Sequence, residues 1–140
     1  MTESIDKLAN VLVIDDDDIS NFIYTRVISA SGIVENIKSC MSGQEALNYL
    51  KEVSENNPEQ FPAMIFLDIN MPVMNGWDFL DQYNQIIPEQ VQSNSILCIL
   101  SSSVYKDDID KANTYAQVKE YVPKPLTTDY LKTLFKKHFS

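Results

Sequence analysis

Basic residues are scarce in this sequence. Eleven Lys and Arg stand against 20 Asp and Glu in 140 residues, which gives a formal net charge of -9 at pH 7. A protein that binds nucleic acid directly normally shows a basic face, and a protein that binds anionic membranes carries clusters of Lys or Arg. Nucleic acid and membrane are therefore both disfavoured as partners.

Cysteine, histidine and long apolar stretches are also scarce. Cys40 and Cys98 stand in apolar or strand-like stretches, without a CxxC or Cys/His spacing. We expect buried, reduced thiols at both positions rather than a disulfide or a zinc site. No apolar run is long enough to span a bilayer, and residues 1–7 lack the apolar core of a signal peptide. These features together favour a cytoplasmic protein.

The composition that remains is that of one globular domain. Hydrophobic residues make up 44% of the chain and charged residues 22%, as in ordinary folded domains. The length is sufficient for one core, and no stretch has the composition of a linker. We therefore expect residues 1–140 to form a single domain, with no effector domain attached.

Apolar runs and helical patterns alternate along the chain. The runs at 11–14, 63–67 and 96–100 are apolar throughout, which is typical of parallel strands buried on both faces. The stretches at 33–40 and 118–122 are mixed and suit edge strands. Five alternating strand–helix units predict an α/β fold, a three-layer sandwich whose parallel sheet has the flavodoxin-like order 2-1-3-4-5.

The spacing of apolar residues also predicts the buried face of each helix. In the first helix this face comprises Ile19, Phe22, Ile23, Val27 and Ala30. In the fourth predicted helix it comprises Tyr105, Ile109, Ala112 and Ala116. In the last helix it comprises Tyr130, Leu131, Leu134, Phe135 and His138. Asp18 is the expected N-cap of the first helix, and Asp17 is expected to be a solvated acid.

Polar and charged residues stand at the predicted carboxyl ends of four strands. Asp15 and Asp16 follow the first strand, Asp68 the third, Ser101 the fourth and Lys124 the fifth. In this strand order, ligands bind between the first and third strands, where the order reverses. Three clustered carboxylates repel one another or recruit a cation, and oxygen ligands without His or Cys suit Mg²⁺. A lysine, a hydroxyl and Mg²⁺ beside an aspartate suit phosphoryl transfer onto that carboxylate.

Five motifs at these positions resemble those of response regulator receiver domains of the chemotaxis-regulator type. The motifs are Val13-Ile14-Asp15-Asp16, Leu67-Asp68-Ile69-Asn70-Met71-Pro72, Asn75-Gly76, Ile99-Leu100-Ser101-Ser102 and Tyr121-Val122-Pro123-Lys124-Pro125. Each motif alone is weakly specific, whereas all five in order at strand ends are highly specific. The resemblance covers nearly the whole chain.

The resemblance implies how the acids of the site are used. Asp68 would accept a phosphoryl group from a phosphohistidine. Asp16, Asp68 and the backbone carbonyl of Asn70 would bind Mg²⁺ directly, and Asp15 would act on it through water. In this family the side chains at the positions of Asn70 and Ser103 tune how long the phosphate survives.

The resemblance also implies the parts that respond to phosphorylation. Ser101 and Lys124 would contact the phosphoryl group and close on it, and Tyr121 would rotate inward as an aromatic switch. The Lys124–Pro125 peptide would be cis, which an X-Pro bond tolerates at low cost. The chain departs from the family at Gln117-Val118, where a Gly-Ala pair is usual, so the loop before the last strand is expected to differ in shape.

The expected partners are proteins. A histidine kinase or a histidine phosphotransfer protein would donate the phosphate, and a downstream protein would read the surface of the fourth helix, fifth strand and fifth helix. The chain would be a slowly self-dephosphorylating phosphoacceptor rather than an enzyme.

Several alternatives stay open from the sequence alone. A pseudo-receiver would bind partners without phosphorylation. An aspartyl-phosphate phosphatase needs a second acid two residues after the nucleophile, where this chain has Asn70. Ser101 is also explained by local bonding at a strand end, and Tyr121 by packing on an edge strand.

Overall fold

A computed structural model describes residues 8–102 and 105–139 of the chain. The five strands are β1 (Leu8–Ile14), β2 (Val34–Cys40), β3 (Met64–Leu67), β4 (Ile96–Ser101) and β5 (Val118–Pro123). Every neighbouring pair is parallel, and the order in the sheet is β2-β1-β3-β4-β5. The predicted flavodoxin-like fold is confirmed, with the two mixed strands at the edges of the sheet.

Helices connect the strands. They are α1 (Asp18–Ser31), α2 (Gly43–Asn56), α3 (Gly76–Ile86), α4 (Glu89–Gln92), α5 (Lys106–Ala112) and α6 (Thr128–Phe139), with a 3₁₀ turn at Pro58–Gln60. The short α4 is not predicted by the sequence. Pro88 indicates the end of α3, but in the structure it is also the N-cap of α4. The predicted fourth and fifth helices are therefore α5 and α6. None of the described helices is both long and apolar enough to cross a membrane.

The apolar core lies on both faces of the central strands. Alternate residues of β1 and β3 point to opposite faces, as the two-residue period of a strand requires. One face packs on α2 and α3 and the other on α1 and α6. Burial on both faces explains why β1, β3 and β4 are apolar throughout, and it holds the carboxyl ends of β1 and β3 side by side.

The prediction for the buried face of α1 is wrong except at Val27, which is partly buried against the core. Ile19 is 66% exposed and Phe22 61% exposed, and Ile23 is exposed as well. The buried residues are Asn21, Tyr24 and Ile28, which recur at i, i+3 and i+7 and so form their own helical stripe. The helix is turned so that a polar amide and a phenol face the sheet together with Ile28, whereas Ile19, Phe22 and Ile23 face outward.

Hydrogen bonds explain how Asn21 is accommodated inside. Its amide Nδ2 donates to the backbone oxygen of Asp15 at 2.8 Å and to that of Cys40 at 3.4 Å. The Asp15 carbonyl directly follows β1, and the Cys40 carbonyl, which also accepts the N–H of Asp15, ends β2. The amide nitrogen of Asn21 is therefore paired with backbone oxygens at the edge of the sheet. The N-cap is also one residue earlier than predicted, since the Asp17 side chain accepts from the N–H of Ile19 and the hydroxyl of Ser20.

The predicted faces of α5 and α6 are confirmed only in part. In α5, Ala112 is buried, but Tyr105 is an exposed N-cap and Ala116 is exposed beyond the end of the helix. In α6 the buried residues are Leu131, Leu134 and Phe135. His138 is half-buried and lies 2.8 Å from Glu120 Oε2 through its Nε2, so it packs against a charged partner on β5.

Candidate functional site

Asp15, Asp16 and Asp68 meet at the carboxyl edge of the sheet. Ile14 pairs with Leu67 where β1 and β3 end, so Asp15 and Asp68 leave the sheet side by side. One carboxylate oxygen of each acid lies within 4.8 Å of the others. Asp15 is 2% exposed and Asp68 5% exposed, whereas Asp16 is exposed to solvent. The predicted cluster of three acids is therefore present in the structure.

Backbone hydrogen bonds fix the two buried acids. The N–H of Asp17 donates to Asp15 Oδ1 at 3.0 Å, and the N–H of Asn70 donates to Asp68 Oδ1 at 3.1 Å. Ladder bonds continue up to the acids, since Asp68 N donates to Ile14 O at 3.0 Å. Such bonds to charged acceptors are stronger than neutral ones, and they hold both carboxylates at the surface of the pocket.

Lys124 reaches into the acid cluster from the end of β5. Its ammonium Nζ lies 3.2 Å from Asp15 Oδ2 and 3.7 Å from Asp68 Oδ1. The backbone N–H of Lys124 donates to the carbonyl oxygen of Ser101 at 2.9 Å, and Ser101 is fully buried at the end of β4. The Lys124–Pro125 peptide is cis, as the family resemblance implies. The structure thus brings together the residues that the sequence assigns to the strand ends.

The charges of the pocket set the ionisation of its groups. Burial raises the pKa of Asp68 above its ordinary value, and the neighbouring charges of Asp15 and Asp16 add to this, against the lowering effects of the Asn70 N–H and of Lys124. Burial lowers the pKa of Lys124, but the carboxylates of Asp68 and Asp15 outweigh it and the net shift is upward. Lys124 therefore stays cationic, while ionised Asp68 is costly unless positive charge is supplied.

Comparison with known proteins agrees with this geometry. A family model described as the response regulator receiver domain matches residues 11–136. The chain belongs to this family. It is 42% identical to a two-component response regulator from Cytophaga hutchinsonii, with a TM-score of 0.85 over 94% of this chain and 96% of that one.

Two curated relatives have different lengths. The probable methanogenesis regulatory protein FilR2 of Methanothrix harundinacea is 26% identical over 87% of this chain and 76% of its own length. The sensor histidine kinase CheAY of Helicobacter pylori is 30% identical over 91% of this chain but only 14% of its own length. The matched segment is thus a receiver domain of two-component signalling, found in proteins of very different size.

The acid cluster fits the Mg²⁺ that receiver domains bind in an acidic pocket. The three carboxylates carry three negative charges when ionised, and the Lys124 ammonium offsets one of them. All donors are hard oxygens, which Mg²⁺ prefers. Asp15, Asp16 and Asp68 could hold the ion, and the Asn70 carbonyl stays a predicted ligand, two residues beyond Asp68.

The receiver domain holds two further residues near the site that the sequence does not reveal. Tyr24 lies below Lys124, with its ring centroid 5.9 Å from the Lys124 Nζ. Asn21 binds the backbone of Asp15, as described above. The hydropathy pattern does not predict that either residue is buried, because both are polar and lie on the less apolar face of α1. The only signal is their helical spacing with Ile28.

Three further residues singled out in the sequence are Tyr121, Ser103 and Gln117. Tyr121 is half-buried and packs against the core on the α2–α3 side, so its role as a switch stays a prediction. Ser103 lies outside the described residues. Gln117, at the departure from the family, donates from Nε2 to the carbonyl oxygen of Leu80 at 3.3 Å. This bond ties the loop before β5 to α3.

Proposed function

We propose that this receiver domain is a cytoplasmic, single-domain response regulator that accepts a phosphoryl group on Asp68 from a phosphohistidine. One observation carries the proposal: a nearly buried carboxylate at the end of β3 shares its pocket with two more acids and with the Lys124 ammonium. A carboxylate held in this way is a nucleophile with a cation beside it to receive the negative charge of the phosphoryl group.

The transfer step needs little covalent chemistry from the protein. An oxygen of the ionised Asp68 carboxylate attacks the phosphorus of the phosphohistidine. The phosphorus–nitrogen bond breaks, and the imidazole leaves with its electron pair and takes a proton from water. Asp16, Asp68 and the Asn70 carbonyl would hold Mg²⁺, with Asp15 acting through water, and the ion would neutralise charge on the phosphoryl oxygens.

Lys124 and Ser101 would contact the phosphoryl group once it is on Asp68. The Lys124 ammonium already lies 3.7 Å from Asp68 Oδ1, so a phosphoryl dianion on that side chain would draw it away from Asp15. The backbone bond from Lys124 to Ser101 joins the two residues. A movement of one residue would therefore displace the other. Tyr121 would then rotate inward as the aromatic switch.

This movement would be read on the surface formed by α5, β5 and α6. Ser101 ends β4 just before the segment that leads to α5, and Lys124 ends β5 just before α6. The added charge favours the state in which both residues close on the phosphate, which is a shift of a two-state equilibrium. The output is the binding of a downstream protein, or the onward relay of the phosphate.

The exposed side of α1 supports a protein as the donor. Ile19, Phe22 and Ile23 are exposed on the first turns of the helix, which begins two residues after Asp16. Clustered exposed apolar side chains mark protein interaction surfaces. A protein seated on these side chains would bring its donor histidine to the mouth of the pocket that holds Asp68.

The test uses phosphoramidate, which presents the same phosphorus–nitrogen bond as phosphohistidine. We expect the wild type to acquire one phosphoryl group that hydroxylamine removes, as it does from acyl phosphates, and Asp68→Asn to acquire none. Asp17→Asn is the control, because this variant keeps a good N-cap and removes an exposed acid nearby. Equal labelling of Asp68→Asn and the wild type would refute the proposal.

A further inference from the structure

Tyr24 is the aromatic residue of α1 that lies beside the site. It is only 5% exposed, and its ring centroid lies 5.9 Å from the Lys124 Nζ. We propose that Tyr24 is a positioning residue, which sets where the Lys124 ammonium lies between Asp15 and Asp68. The proposal rests on the proposed function, since the placement of Lys124 matters for phosphorylation only if Asp68 is the acceptor.

The contacts of Lys124 come from three separate parts of the fold. Its Nζ lies 3.2 Å from Asp15 Oδ2 after β1 and 3.7 Å from Asp68 Oδ1 after β3, and the Tyr24 ring approaches it from α1. A lysine ammonium sits on a flexible four-carbon stem and does not fix its own position. The two carboxylates draw the ammonium toward themselves, and Tyr24 on α1 supplies a third contact from a different direction.

The buried position of Tyr24 makes it suited to this role. It belongs to the core cluster of α1 and α6, together with Ile28 and Leu131, so core packing fixes the orientation of its ring. A cation beside an aromatic ring is attracted by the ring electrons, and the attraction strengthens when water is excluded. The Tyr24 hydroxyl oxygen also accepts a hydrogen bond from the Lys124 side chain, so the ring and its hydroxyl together hold the ammonium.

Tyr24 also leaves the net charge of the pocket unchanged. Burial raises the pKa of its hydroxyl, and the charges of Asp15 and Asp68 raise it further, against the lowering effect of Lys124. The hydroxyl thus stays protonated at neutral pH. An acid at this place would compete with the phosphoryl group for Lys124, whereas a neutral ring orients the ammonium and still releases it.

A double-mutant cycle tests whether Tyr24 acts through Lys124. The rate of Asp68 phosphorylation by acetyl phosphate in Mg²⁺ is measured for the wild type, Tyr24→Leu, Lys124→Ala and the double variant. We expect Tyr24→Leu to slow the wild type by about threefold to tenfold and to change the Lys124→Ala variant by less than about twofold. An equal slowing in both backgrounds, or none in either, would overturn the proposal.

Ile28→Ala is the matched structural control. Ile28 lies one turn further along the same buried stripe of α1 and is fully buried. If Ile28→Ala lowers stability, it should affect the rate equally in the presence and absence of Lys124, since it makes no contact with the ammonium. A purely structural role for Tyr24 would give this same additive pattern.

A second measurement works without phosphorylation. The Mg²⁺ dissociation constant of the same four proteins is measured by titration calorimetry. Loss of the ring leaves the ammonium closer to the carboxylates, so Tyr24→Leu should weaken Mg²⁺ binding by about twofold to fivefold, and only when Lys124 is present. If the wild type binds Mg²⁺ but is not phosphorylated, the proposed function fails, and this cycle alone decides the role of Tyr24. A Mg²⁺ affinity that is unchanged by Tyr24→Leu in both backgrounds would overturn that role.

Discussion

Lys124 and Asp15 are 109 residues apart in the chain, and the Lys124 ammonium donates to Asp15 Oδ2 at 3.2 Å. The lysine comes from the end of the edge strand β5 and the acid from the end of β1, with β3 and β4 between these strands. The side chain of Lys124 therefore spans the mouth of the pocket. This ion pair links the outer edge of the sheet to the acids that would bind Mg²⁺ and accept the phosphoryl group.

Removal of Lys124 should strengthen Mg²⁺ binding. The ammonium lies among the same carboxylates that would hold the cation, so the two positive charges compete. Lys124→Ala is expected to bind Mg²⁺ about threefold to tenfold more tightly at low salt, measured by titration calorimetry. Lys119→Ala, which removes an exposed charge from the same strand, should leave the affinity unchanged. Weaker binding by Lys124→Ala would contradict the competition.

Gly76 should not tolerate a side chain. A Cβ there would lie 2.6 Å from the backbone Cα of Ile69, in the segment that leads away from Asp68. We expect Gly76→Ala to lower the free energy of unfolding by about 1–3 kcal/mol and to slow phosphorylation, since the Asp68 loop must shift.

Gly43 provides the matched control, because it also begins a helix. A Cβ at Gly43 would meet the Met74 sulfur at 2.7 Å, but a methionine side chain is flexible and can move. Gly43→Ala should therefore cost less than Gly76→Ala in urea unfolding. An equal or larger loss at Gly43 would show that the contact with Ile69 is not the limiting one.

Substitutions on the two faces of α1 should differ in how much they lower stability. Phe22→Ser changes an exposed residue, and we expect the free energy of unfolding to change by less than about 0.5 kcal/mol. Ile28→Ala opens a cavity in the core, and we expect a loss of about 2–4 kcal/mol. Chemical denaturation monitored by circular dichroism measures both changes. Stronger destabilisation by Phe22→Ser would mean that the outward face of α1 is packed.

Phe22→Ser should also lower the rate of phosphorylation by a protein donor without lowering the rate with a small-molecule donor. If the outward face of α1 seats the donor protein, this variant should accept phosphate from acetyl phosphate at the wild-type rate. Its rate with a phosphorylated histidine phosphotransfer protein should fall by about fivefold or more, as expected when an exposed aromatic anchor is lost. Equal slowing with both donors would point to damage in the pocket instead.

The contact between β5 and α6 should depend on pH through Glu120. Although burial raises the pKa of Glu120, its bonds to Lys137 and His138 lower it below the usual value. A carboxyl whose pKa is depressed on folding stabilises the protein above its unfolded pKa, and this stabilisation is lost as the pH falls through the folded pKa. Glu120→Gln should therefore reduce stability by about 1 kcal/mol at pH 7.

The reduction caused by Glu120→Gln should fade as the pH falls through the lowered pKa that Glu120 has in the folded protein, because the carboxyl is then protonated in both states. Thermal unfolding over a pH series gives the comparison. Glu35→Gln, at an exposed position of the opposite edge strand β2, is the control and should change the free energy of unfolding at pH 7 by less than about 0.5 kcal/mol. A difference at Glu120 that persists unchanged into acid would contradict the assignment.

The fold could be predicted because its strands are buried on two faces. Runs such as Ile65–Leu67 are apolar without interruption, and each run stops at the residue that leaves the sheet. That abrupt end also located Asp15 and Asp68 correctly, since an acid cannot continue a buried strand. The carboxyl ends of neighbouring parallel strands then had to bring the acids together, which required no knowledge of side-chain packing.

The orientation of α1 could not be predicted for a physical reason. Its buried face holds Asn21 and Tyr24. The amide nitrogen of Asn21 donates to the carbonyls of Asp15 and Cys40, and Tyr24 lies beside Lys124. Hydropathy treats an amide as exposed, and it cannot anticipate partners that come from other elements. The same limit hid α4, because Pro88 is equally compatible with the end of one helix and the start of the next.

The central claim, that Asp68 accepts a phosphoryl group, is tested most directly by intact-protein mass spectrometry. The wild type, Asp68→Asn and Asp17→Asn are incubated with acetyl phosphate, with and without Mg²⁺, and quenched rapidly. We expect a gain of one phosphoryl group in the wild type and in Asp17→Asn, only with Mg²⁺, and no gain in Asp68→Asn. No gain in the wild type despite measurable Mg²⁺ binding would contradict the account, and the chain would then be a pseudo-receiver that binds partners without phosphorylation.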